Sequence, residues 1–344
     1  MNITKKDFEQ AEQFRSSAQY SRAVELYKKA LRGYRRKSDI TGMLNCFLSI
    51  ADTLRARGDF VEAKTYYSEG LKAADALDDR VAEADALVGT GLCLRALGEW
   101  KQALLYINKA RRIYRSLHDR AGDAFSLWAG AGAFRIKGDI EKALKTFQLA
   151  AAEFRSIRDK SGLTYSYCGL GGCSRINGNF RDSEKYYVKA NRNFADLNDR
   201  FGLAYSFCGI GNAKRMTGDY KGAMRFFGRA ESLYKKIGDM VSYAYTLWGM
   251  GTACKMTGDL QMAEKKFKLA EVFFRKTGDP RGKIYCMLGY GELNCLRDKP
   301  VRAKRTLSDS LKLADRYGFR VEKSYAKKLI RGLELGKGFP FNLP

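Results

Sequence analysis

Forty residues separate each of Gly58, Gly98, Gly138, Gly178, Gly218 and Gly258 from the next, and other positions keep the same period. Five places after each glycine stands a small residue: Ala63, Ala103, Ala143, Ser183, Ala223 and Ala263. Ala23 and Ala303 extend that series to both ends, where Ala18 and Asp298 occupy the glycine register. Seven places further on come Ala30, Gly70, Ala110, Ala150, Ala190, Ala230, Ala270 and Ser310. Eight copies of one unit therefore run to about residue 323. So short a period argues against a single globular core, which a chain of 344 residues would in any case outgrow. It predicts a stack of small units, each packing only on its neighbours.

Within each period the residues read as two antiparallel helices. In residues 199–238, Asp199 stands where an N-cap is needed, and Asp39, Asp79, Asp119, Asp159, Asp239 and Asp279 hold that place in other copies. A first helix then runs to Thr217, and Gly218 makes the turn, because a residue free to adopt positive φ ends a helix cheaply. Asp219 follows as the cap of a second helix, whose Ala223, Phe227, Ala230 and Tyr234 recur at helical spacing on one face. Pro280 and Pro300 fall in first turns, where a missing N–H costs little. Gly91, Gly171, Gly211, Gly251 and Gly291 lie mid-helix, where glycine costs about 1 kcal/mol relative to alanine. A cost repeated at one register implies a close approach by a neighbouring helix.

The glycine inside the first helix, the Gly-Asp-Tyr of residues 218–220 and the two spaced alanines resemble the tetratricopeptide repeat. The resemblance covers about residues 4–323. These units are longer than the usual ~34 residues, lack the closing proline and extend the second helix. In that they are similar to the repeats of kinesin light chain and of the spindle-orientation adaptors with Leu-Gly-Asn repeats. The resemblance implies an all-α, right-handed superhelical solenoid of eight helix-turn-helix repeats, whose first helices line a concave peptide-binding groove.

Beyond the repeats, Arg320 to Leu335 reads as one more amphipathic helix, with Val321, Tyr325, Leu329 and Leu333 on a shared stripe. It would cap the stack. Residues 1–323 are thus expected to form one solenoid. Residues 324–344 would hold the end of the capping helix and an irregular, mobile tail, GKGFPFNLP.

The charge balance is the compositional outlier: 63 Lys and Arg against 38 Asp and Glu, a net charge of +25. Such a chain attracts acidic partners through fields that salt screens. No apolar run is long enough to cross a membrane, and the N-terminal residues carry no secretion-signal pattern, so a soluble, cytoplasmic protein is expected. The eight cysteines match neither a zinc nor a redox spacing and read as small buried thiols. The one histidine, His118, falls in a turn between repeats. With no phosphate loop, metal spacing or nucleophile–base arrangement, neither catalysis nor a cofactor is expected.

One polar feature does repeat. Arg15, Arg55, Arg95, Arg135, Arg175, Arg215 and Lys255 occupy one register in successive first helices, and the ladder breaks at Cys295. On a helical wheel Tyr205, Cys208, Asn212 and Arg215 share an arc of about 80°, the face that the resemblance assigns to the groove. Equivalent residues make the stripe aromatic and basic through residues 124–255, with Tyr165, Tyr205 and Tyr245 in step. It turns acidic or aliphatic towards the N-terminus, at Asp52, Asp85 and Leu92. Each basic residue also lies in the last turn of its helix, where any cation gains about 0.3–1 kcal/mol from free carbonyls. Lysine would serve that purpose equally, yet six of the seven rungs are arginine, the side chain that grips carboxylates and phosphates with two parallel hydrogen bonds.

The expected function is a protein-interaction scaffold or adaptor binding an acidic peptide segment. Arg55, Arg95, Arg135, Arg175, Arg215 and Lys255 would meet carboxylates, Tyr165, Tyr205 and Tyr245 would give apolar contact, and Asn212 would bond the ligand backbone. Single-stranded RNA would suit the same groove, with phosphates on arginines and bases on tyrosines. A third reading places the basic second helices against an anionic membrane surface as part of an assembly. Composition does not fix the oligomeric state.

Overall fold

A computed structural model of the chain describes residues 3–336 and 338–344. Its helices are α1 (Ile3–Ser16), α2 (Tyr20–Arg36), α3 (Ile40–Arg57), α4 (Phe60–Ala76), α5 (Arg80–Ala96), α6 (Trp100–Ser116), α7 (Arg120–Lys137) and α8 (Ile140–Ser156). They continue as α9 (Lys160–Ile176), α10 (Phe180–Asp196), α11 (Arg200–Met216), α12 (Tyr220–Ile237), α13 (Met240–Met256), α14 (Leu260–Thr277), α15 (Pro280–Leu296), α16 (Pro300–Tyr317) and α17 (Arg320–Glu334). Among the described residues there is no strand. Odd and even helices pair as eight hairpins, and α17 closes the stack.

Local sequence sets these boundaries. Each of the seven foreseen aspartates, from Asp39 to Asp279, caps its first helix by accepting backbone N–H bonds. On the second helices Asp219 and Asp259 do the same. Asp59 and Asp139 do not, because their carboxylates pair with Arg57 and Lys137 two residues earlier. Gly218 makes its turn at φ 85°.

The mid-helix glycines admit an aromatic column from the second helices. A Cβ at Gly211 would stand 2.7 Å from the Phe227 ring, and one at Gly249 in the next repeat 2.8 Å from it. Phe227 is thus a wedge held between two first helices by their missing side chains. Tyr187 and Phe267 repeat the arrangement one unit to either side.

The superhelix closes on itself after roughly four and a half repeats. The hairpin turn at Gly58 rests on Val241 and Thr277, that at Gly98 on Pro280 and Phe319, and that at Gly138 on Arg320 and Val321. Trp100 donates its indole N–H to the Tyr317 carbonyl at 3.0 Å, and Ala18 and Tyr20 join the core of repeats six to eight. Turns that end in glycine leave room for this backbone-level seating. The concave face is in consequence the wall of a partly closed channel rather than of an open groove.

The tail departs from its expected mobility. Residues 338–344 are irregular but lie against the inner face of α11, α13 and α15, with Leu343 3% exposed. Basic and acidic side chains of those helices hold its main chain, an anchorage that no local sequence pattern announces. Lys337 lies outside the described residues.

Candidate functional site

The basic ladder follows the channel wall, and its rungs differ in what neutralises them. Arg15 pairs with Glu12, and Tyr27 bonds both. Arg55 pairs with Asp52 at 3.1 Å and donates to the Tyr67 hydroxyl at 3.0 Å. In each case the carboxylate sits one turn earlier on the same helix. From the third repeat onward that position becomes Leu92, Gly132, Gly172, Asn212 and Thr252, so Arg95, Arg135 and Arg175 have no acid one turn before them.

The two glycines also give their arginines a resting place. A Cβ at Gly132 would collide with the Arg95 guanidinium, and one at Gly172 would stand 2.9 Å from Arg135 Nη1. Arg95 therefore reaches across to the next first helix, where it donates to the Ala129 carbonyl at 3.4 Å and lies 5.5 Å from the Trp128 ring centroid. Burial, and after it the charge of Arg135, draws the Arg95 pKa down to about 10. Among the described residues neither Arg135 nor Arg175 forms an ion pair, and the Nε of each is buried without a hydrogen-bond partner.

Beyond them the ladder is occupied by the chain itself. Arg215, fully buried, donates to the Leu343 carbonyl at 2.9 Å and to the Asn342 side chain. Its pKa falls to about 9 through burial and then the charge of Arg175. Lys255 pairs with buried Glu292 and donates to the Phe341 carbonyl at 2.8 Å. Asn212 donates to the Cys208 carbonyl at 3.1 Å and accepts from Arg215 at 3.3 Å.

The tyrosines divide likewise. Tyr165 and Tyr245 donate to Asp199 and Asp279, the next N-caps, at 2.7 and 2.9 Å. Tyr205 stacks on Phe201 and lines the channel. Together these residues enclose a cavity of about 1310 Å³ that reaches from Arg15 to Pro344. Arg55, Arg95, Arg135, Arg175, Tyr165, Tyr205, Tyr245 and Asn212 all line it.

Three further lining groups are not among the expected site residues. Arg281 projects from the start of α15 over the Tyr285 ring and pairs with Glu322 at 2.6 Å. Its register is otherwise mostly small or apolar (Val81, Ala121, Ser161, Phe201, Val241), and that departure was the available signal. Trp128 has its indole N–H buried without a partner.

Asp239 is the third. It caps α13 through Oδ1, but its Oδ2 is buried without a hydrogen bond. Burial lifts its pKa to about 6, and nearby Ser242 offsets only part of that cost. An acid with a raised native pKa destabilises the fold when ionised, so this contribution to stability falls as pH rises from about 4 to about 6. Asp239→Asn retains a capping acceptor and should exceed the wild type in stability at pH 8, with the gap closing towards pH 4. Urea melts across that range check this, and a gap independent of pH would contradict it.

Among the described residues no His, Cys, Asp and Glu cluster could hold a metal ion, and no helix is long and apolar enough to cross a membrane. Seven of the eight thiols are buried, and burial raises the pKa of Cys46 to about 12.

A family model described as tetratricopeptide repeat matches residues 42–116. No curated protein sequence matches closely enough to count as a relative. Among solved structures, the Rap conjugation gene regulator of plasmid pLS20 in complex with the Phr* peptide is similar at a TM-score of 0.68 and 12% identity, over 98% of this chain and 99% of that one. NprR in complex with its cognate peptide NprX gives 0.62 and 16%, over 97% and 98%. A Rap protein complexed with Competence and Sporulation Factor gives 0.60 and 12%, over 97% and 98%. These likenesses establish a shared solenoid fold along the whole chain.

Proposed function

Taking as premise that the chain is a tetratricopeptide-repeat protein, we propose that it is a non-catalytic receptor or adaptor holding an acidic peptide segment in its interior channel. The observation that carries this reading is the run of Arg95, Arg135 and Arg175 along the cavity with, among the described residues, no carboxylate paired to any of them. Arg95, Arg135 and Arg175 are partly buried, so each loses part of its hydration without a counter-charge to offset it, and like charges on adjacent rungs add to the cost. Arg15 and Arg55 show that the same scaffold supplies an acid where the cation serves the fold alone. A ligand carboxylate would fill the vacancy with charge-assisted, two-pronged bonds.

The similar structures support a peptide as the ligand, since two of the three are named as complexes with a peptide and the third as a complex with Competence and Sporulation Factor. Enclosure supports an extended, narrow segment, and Trp128, Tyr205 and Phe201 give it apolar contact. Much of the remaining positive charge lies on the second helices, as in Lys28, Lys29 and Arg32, and faces outward.

A panel of acidic, neutral and basic synthetic peptides, titrated in low and moderate salt beside a single-stranded oligonucleotide, tests the proposal. Acidic peptides should bind and retain affinity as salt rises, because a buried pair is little screened. Binding of the oligonucleotide alone, lost steeply with salt, would replace this reading by nucleic-acid recognition.

A further inference from the structure

We infer that Arg215, Lys255 and Glu292 form a second, main-chain-reading subsite at one end of the channel. It takes an extended Phe-Asn-Leu segment and is filled in cis by the chain's own residues 339–344. This inference concerns a different stretch of the wall from Arg95–Arg175 and stands whether or not an acidic peptide binds there.

The contacts on the segment are those of a peptide ligand. The Phe341 N–H donates to Glu292 Oε2 at 2.7 Å, and its carbonyl accepts from Lys255 at 2.8 Å. Two residues on, the Leu343 carbonyl accepts from Arg215 at 2.9 Å. Between them Asn342 turns the other way, donating its amide to the Arg215 carbonyl at 2.7 Å while its oxygen accepts from the Arg215 guanidinium. Groups read at i and i+2 on one edge of an extended backbone place alternate side chains on opposite sides. Leu343 is accordingly buried, and Phe341 packs edge-on to Phe339 beneath Lys328.

The subsite has its own chemistry. Main-chain N–H and C=O groups meet a buried acid and buried bases, so any extended segment satisfies the polar contacts. Asn342 and Leu343 supply the selection. The clamp side chains belong to α11, α13 and α15, where Lys255 also pairs with Glu292 and Arg215 also bonds Asn212, contacts that do not involve the segment. Among the described residues, 339–344 meet the solenoid through these contacts and through the packing of Phe339, Phe341 and Leu343 on its core, and Gly336 and Gly338 between them and α17 are both at positive φ.

A segment tethered so closely sees its site at an effective concentration on the order of millimolar. A free peptide of the same sequence therefore binds the intact chain more weakly than an untethered site, by the ratio of that concentration to its own dissociation constant. Fluorescein-labelled GFPFNLP amide, followed by anisotropy, reads this directly in two full-length proteins, the wild type and Asn342→Ala/Leu343→Ala. The double variant should bind the peptide at least ten-fold more tightly than the wild type, and adding Lys255→Met should remove that gain. Equal affinities, or no binding by a double variant whose thermal melt is native, would overturn the inference and leave the segment as a fixed strap. Hydrogen exchange on the wild type gives an independent reading. Excess unlabelled peptide should accelerate exchange at the Phe341 amide, and unchanged protection at saturating peptide would equally overturn it.

Discussion

Replacing Phe227 by alanine should lower stability by about 3–5 kcal/mol, the range for deleting a fully buried aromatic ring. The ring is 0% exposed and fills the space that Gly211 and Gly249 leave open in two successive first helices. Those helices cannot close onto the void, since Gly211 is held by its own hairpin and Gly249 by the next. The cavity cost is therefore added to the lost transfer free energy. Because neighbouring units support one another in a stack, the damage should centre on repeats six and seven. Trp248, adjacent to Gly249, reports on that region in a urea melt followed by fluorescence. A loss below about 1 kcal/mol would mean that the column does not set the helix spacing.

The second large effect concerns the unpaired arginines. Converting Arg135 and Arg175 together to methionine keeps two long side chains on the channel wall while removing two cations that no carboxylate balances. Buried ionic groups replaced by apolar ones of similar volume often leave a protein as stable or more so. The variant should thus melt at or above the wild-type temperature. Its affinity for an acidic peptide should nevertheless fall about 100-fold or more, equivalent to roughly 2.7 kcal/mol. Stability gained together with binding lost is the signature of residues kept for a ligand at the expense of the fold. A structural role predicts the reverse on both counts.

How much of this was legible in the chain depends on the range of the interaction. The hairpins, caps and turns were readable because their causes are local: Asp199 lies three residues from the Gly202 N–H it accepts, at 2.8 Å. Asp59 and Asp139, in the register of Asp219, do not cap because of an equally local competitor, the basic residue two places earlier. The ladder was readable because it shares the repeat period, and the acids that neutralise its early rungs were visible at Glu12 and Asp52. Closure of the superhelix was not, since Gly98 and Pro280 meet through accumulated rotation between repeats and carry no pattern that pairs them. The same holds for Arg215 and Asn342, 127 residues apart. Repetition announces what every unit does, whereas Arg281 and the tail each act once.

Enclosure changes what the ladder can do. In an open groove the guanidinium groups would be hydrated and loosely held. Within the channel Arg95 and Arg215 are desolvated enough for their pKa values to fall to about 10 and about 9, which raises the gain from a bound anion. Closure at Gly58, Gly98 and Gly138 is therefore part of the site, and Gly98 itself lines the cavity.

The most direct test of the central claim is calorimetric titration of an acidic peptide selected from the panel into the wild type and into Arg135→Met/Arg175→Met, with thermal melts on the same samples. The account predicts affinity reduced at least 100-fold in a variant that melts no lower than the wild type. Undiminished affinity in a natively folded variant would show that these two guanidinium groups do not receive the ligand, and would contradict it.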